Sequence, residues 1–101
     1  MLDQPAIRTL EAIANALVST GRYKTQTDAI RAMALEQIVR KIALYERRAK
    51  QFQKKHRVSF EAYTKKLKRH ATMRQEDEWM EWEAALDMLD EWRNAKKALE
   101  N

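Results

Sequence analysis

The stretch "LEQIVRKIALYERRAKQF", residues 35–52, places Leu35, Ile38, Ile42, Tyr45, Ala49 and Phe52 at alternating steps of three and four. That spacing is the heptad seam of an α-helix that meets another helix, two and a half repeats or about 27 Å long at 1.5 Å per residue. Nothing in the stretch breaks a helix, so the element extends back to "TQTD" at residues 25–28 and forward to about His56. At its start the hydroxyl of Thr25 or Thr27 can accept from a free backbone amide, and Asp28 complements the positive end of the helix dipole. Ile30, Met33 and Ala34 form an overlapping stripe ahead of the seam, so the helix is expected to change neighbours along its length.

The flanks continue in helices. Ala6, Ile7, Leu10, Ile13, Ala14, Leu17 and Val18 recur on one helical face, with Pro5 suited to the first turn and Gly21 to a left-handed end. In "HRVSFEAY", Ser59 reads as an N-cap, and Val58 and Tyr63 hold the two positions of a hydrophobic staple. A short helix to about Arg69 follows. Thr72 and Gln75 then form a capping box for a last helix, whose inner stripe begins with Trp79, Trp82, Leu86 and Leu89 and drifts to Trp92, Ala95 and Leu99. The expected fold is therefore all-α, with four helices arranged as an extended hairpin or a coiled-coil-like dimer. A short N-terminal ribbon strand stays open.

Composition agrees. One glycine and one proline among 101 residues, with 45% apolar and 35% charged, is the makeup of a helical protein. The length allows a single domain, and a domain so small buries only roughly 60–70% of its unfolded surface. One copy offers too few apolar faces to cover the seam at both ends, which predicts a homodimer or higher homo-oligomer. The absence of cysteine suits a reducing compartment, and no run approaches the roughly 20 apolar residues of a membrane span, so a cytoplasmic protein with no membrane partner is expected.

Charge is segregated. Residues 40–70 hold twelve Lys and Arg against Glu46 and Glu61, whereas residues 76–92 hold eight acids and no base. The basic zone either solvates its helices and pairs with the acidic zone, or binds a polyanion. Catalysis is not expected. His56 and His70 sit near helix ends in basic surroundings, where they suit the dipole better than a metal, and neither a nucleophile with its base nor a glycine-rich phosphate loop is present. No cofactor or metal is implied.

"STGRYKTQTDAIRAMALEQI", residues 19–38, resembles the segment joining the two helices of ribbon-helix-helix antitoxins of the ParD type. It matches at Gly21, Arg22, Tyr23, Thr25, Thr27, Asp28, Ala29, Ile30 and Arg31. The resemblance implies a DNA phosphate held by the backbone at Thr25, Thr27 and Asp28, with Arg22 and Lys24 nearby as charge, which agrees with the anion affinity of a helix N-terminus. The N-terminal "MLDQPAIR" departs from the family: it does not alternate and contains Pro5. The resemblance further implies a toxin partner, covered by the C-terminal segment, and DNA as a second partner.

On this reading residues 1–55 serve dimerisation and DNA, and residues 56–101 serve the toxin, within one domain. Trp79, Trp82, Glu83, Leu86, Leu89 and Trp92 are the candidate partner-binding residues, the tryptophans being either core or interface anchors. The expected function is that of a type II antitoxin which neutralises a cognate toxin and binds its own operator. A coiled-coil adaptor homodimer and a nonspecific nucleic-acid-binding protein are the alternatives.

Overall fold

The computed structural model describes residues 1–100, and they form four α-helices with no strand among them: α1 (Gln4–Ser19), α2 (Gln26–His56), α3 (Phe60–Leu67) and α4 (Met73–Glu100). The ribbon strand left open by the sequence is absent from the described residues. Asp3 instead caps α1, its carboxylate accepting from the amide of Ala6 at 2.8 Å, with Pro5 in the first turn.

Each helix boundary follows from local chemistry. Gly21 takes φ +80 and donates its amide to the Val18 carbonyl at 3.0 Å, which turns the chain out of α1. Of the two candidate caps for α2 the chain uses Thr25, whose Oγ1 accepts from the amide of Asp28 at 3.1 Å. Arg57 ends α2 at φ 59, its amide bonded to the Gln53 carbonyl at 2.8 Å, so an arginine fills the left-handed position that glycine usually takes. Ser59 caps α3 through the Ala62 amide at 3.1 Å. Thr72 and Gln75 cap α4 reciprocally: the Gln75 amide donates to Thr72 Oγ1 at 3.2 Å and the Thr72 amide to Gln75 Oε1 at 2.9 Å.

The chain divides into two compact units, Met1–Gln37 and a second that begins at Ile38. In the first, α1 and residues 26–37 of α2 form a hairpin. Ala14 and Ala29 are its only fully buried side chains, and Asn15 Oδ1 accepts from the Gln26 side chain across the turn. Ile7, Leu10, Leu17, Ile30, Met33 and Leu35 are only half-buried, and Ile13 is 42% exposed.

The second unit holds the remainder of α2 with α3 and α4. Ile38, Tyr63, Trp82, Ala85 and Leu89 are its buried side chains. Contacts between α2 and α4 run in opposite senses, from Lys55 and His56 on Glu78, through Phe52 on Trp82, to Glu46 on Arg93, so the two helices are antiparallel. The heptad seam divides accordingly. Phe52 is stacked on Trp82 of the same chain and Ile38 is buried, while Leu35, Ile42, Tyr45 and Ala49 keep partial exposure.

Candidate functional site

The base of the site is an aromatic cluster. Trp82, 2% exposed, stacks on Phe52 at 5.8 Å and His56 at 5.9 Å, tilts against Tyr63 at 5.6 Å, and meets Phe60 edge-on at 5.3 Å between ring centroids. Trp79 stacks on Phe60 at 5.7 Å, and its Nε1 donates to Thr64 Oγ1 at 2.8 Å. Such ring pairs are worth about 0.5–1.5 kcal/mol each beyond area burial. α3 is therefore fastened to α4 by two tryptophans at i and i+3, which share one helical face. Of the three tryptophans read as core or interface anchors, Trp82 is buried in this intrachain cluster and Trp79 is half-buried against it. Leu89 is buried further along α4, Glu83, Leu86 and Trp92 are half-buried, and the Trp92 Nε1 is shielded from solvent with no acceptor.

A charged clamp closes the end of the cluster. Lys55 Nζ donates to Glu78 Oε1, and His56 Nε2 lies 2.9 Å from Glu78 Oε2 while its ring stacks on Tyr63 at 4.2 Å. The imidazole contact is close without being aligned as a hydrogen bond, so it becomes an ion pair only when the ring is protonated. The hydrogen bond from Lys55 holds the Glu78 carboxyl below the ordinary carboxylate range; burial opposes this, and the charges of Lys55 and His56 add to it. Burial, aided by the nearby Glu78 charge, pushes the Tyr63 phenol up, with Lys55 opposing. The Tyr63 hydroxyl reaches the Gln75 carbonyl only at a long 3.5 Å.

Above this core α4 presents an acidic face. Glu76, Asp77, Glu81, Asp87, Asp90 and Glu91 are exposed, and Met80 stands among them 55% exposed. Of the eight acids in residues 76–92, Glu78 is the only one with an ion pair among the described residues. Arg93, beyond them on α4, pairs with Glu46 at 3.7 Å. The other seven acids make no ion pair among the described residues. No group of three or more His, Asp or Glu side chains among the described residues is placed to hold a metal ion.

The turn that resembles the antitoxin family lies in the first unit. Arg22, Lys24, Thr25, Thr27 and Asp28 are all exposed, and the Arg22 guanidinium sits 5.8 Å from the Tyr23 ring centroid. The Asp28 amide is engaged by Thr25, which leaves the amides of Gln26 and Thr27 as the open donors of the first turn. Sequence reasoning missed Thr64 and His56 as partners of the tryptophan-bearing helix. Thr64 is four residues after Phe60 and on its face, the one signal that was available.

No protein-family model matches the chain, nor does any curated protein or solved structure. No helix among the described residues is long and apolar enough to cross a membrane.

Proposed function

We propose that this chain is the antitoxin of a type II toxin–antitoxin pair, and that the outer face of α4 covers a basic toxin in the cytoplasm. The observation that carries the reading is the acidic face: seven carboxylates that make no ion pair among the described residues of a chain that holds twenty Lys and Arg. Leaving them unmatched favours a cationic partner, because opposed surfaces speed encounter and suppress wrong partners. Trp79 and Trp82 act from beneath, holding α4 on α3, and Leu89 is buried further along α4, while Met80, Glu83, Leu86 and Trp92 offer half-exposed or exposed surface for contact. The first unit supports a second copy of the chain through its half-buried apolar side chains. Its turn, with Arg22, Lys24 and the amides of Gln26 and Thr27, is the part that would meet operator phosphate.

The test is co-expression with the product of the adjacent reading frame. A stable complex that relieves the neighbour's toxicity is expected, and the triple change Glu81→Lys, Asp87→Lys, Glu91→Lys should release the neighbour while far-UV helicity is kept. A neighbour that is harmless alone, or a complex indifferent to the triple change, would overturn the proposal.

A further inference from the structure

We propose that the second unit binds the phosphate backbone of duplex nucleic acid through two basic hollows at either end of α3. The first, an open hollow of about 510 Å³ at the end of α2, is lined by Lys50, Lys54 and Arg57, with Ser59 at its edge. The second, about 590 Å³ where α3 passes into α4, is lined by Lys65, Lys66 and Arg69 together with His70. These six Lys and Arg side chains are exposed, and none makes an ion pair among the described residues. The acids of the basic zone do not enter either hollow: Glu46 pairs with Arg93, and Glu61 lies on α3 outside both linings. A cation set without internal counter-ions selects an anionic ligand.

Two further observations narrow the class. The hollows flank a helix of eight residues, about 12 Å long at 1.5 Å per residue, so one small anion fills only one of them, whereas a polymer is long enough to span both. The rings of Phe60, Tyr63 and Trp82 are turned into the core. Single strands are held largely by stacking on exposed rings, whereas a duplex needs only cations against its phosphates. Arg57 holds a left-handed backbone that glycine would take with less strain, and it adds a guanidinium to the first hollow there. The inference does not rest on the antitoxin reading, whose toxin contact uses the acidic face of α4 and whose operator contact uses the turn of the first unit.

Fluorescence anisotropy of the full chain on a labelled duplex of random sequence, over a series of salt concentrations, tests it. Six neutralised phosphates give a slope of log K against log salt of about −5, and each triple change, Lys50→Gln with Lys54→Gln and Arg57→Gln, or Lys65→Gln with Lys66→Gln and Arg69→Gln, should reduce that slope by about 2–3. Because all six side chains are exposed, the variants should keep native helicity, which circular dichroism checks. The proposal is overturned by no duplex binding at about 50 mM salt, by a slope unchanged in both variants, or by a single strand that binds as tightly. Polyglutamate displacing the duplex at equal charge would assign the face to an acidic protein instead. A mass that falls with salt while no duplex binds would assign it to α4 of a second copy.

Discussion

Trp82 is the residue on which most of the second unit depends, since it touches rings from α2 and α3 at once. Trp82→Ala leaves a void beneath four rings, and we expect a loss of about 3–5 kcal/mol in urea unfolding. Trp82→Phe should recover a large part of it; equal losses for both changes would mean that the cluster is not the stabilising element. At the backbone, Gly21 and Arg57 are a matched pair in opposite senses. A Cβ at Gly21 would meet no atom within 4 Å, so Gly21→Ala tests the φ +80 conformation alone and should cost about 1 kcal/mol. Arg57→Gly relieves a left-handed arginine and should add about 0.5–1 kcal/mol. Gly21 was legible because glycine advertises its freedom. Arg57 was not, because its conformation is imposed by the short link between α2 and the Ser59 cap.

The elements were legible wherever a side chain closes on its own backbone. Ser59, Thr72 and Gln75 make the bonds their spacing predicts, because a capping box needs no distant partner. Thr72→Ala should therefore cost about 1 kcal/mol, with the loss confined to the α4 start in hydrogen exchange. What packs on what was less legible. The 3–4 spacing of residues 35–52 says that a helix meets this seam and cannot say whose, and α4 of the same chain takes the Phe52 end. His56, expected to serve the α2 dipole in basic surroundings, lies instead between Tyr63 and Glu78, a placement set by how α3 folds back. The clamp that results has a pH sign. A carboxyl held low in the folded chain stabilises it above the unfolded value of about 4.3 and loses that contribution as pH falls through the lower folded value. Tyr63, held high, contributes below its unfolded value of about 10 and loses that contribution as pH rises through the folded one. Glu78→Gln should flatten the acid limb of stability against pH and leave the helix content at neutral pH nearly unchanged.

Over the whole molecule the two units are unequally closed. Trp82, Tyr63 and Leu89 shut the second, whereas two alanines are all that the first buries completely, with Ile7, Leu10, Leu17, Ile30, Met33 and Leu35 left half-open. Buried apolar surface decides how much free energy local opening requires, so the units should differ in amide protection even though α2 contributes to both. Hydrogen exchange followed by mass spectrometry should find residues 4–36 exchanging faster than residues 60–67 and 78–92, with the change falling inside α2 near residue 37. The half-open face of the first unit is also where a second copy gains most from contact. Raising the concentration from about 1 to about 100 μM should slow exchange in residues 4–36 and leave residues 78–92 as they were, since mass action stabilises only the surface that the partner covers. Leu10→Asp should remove the concentration dependence without disturbing the second unit. Protection that is uniform along α2, or independent of concentration, would place the missing cover for this face within the chain itself and end the case for a homodimer.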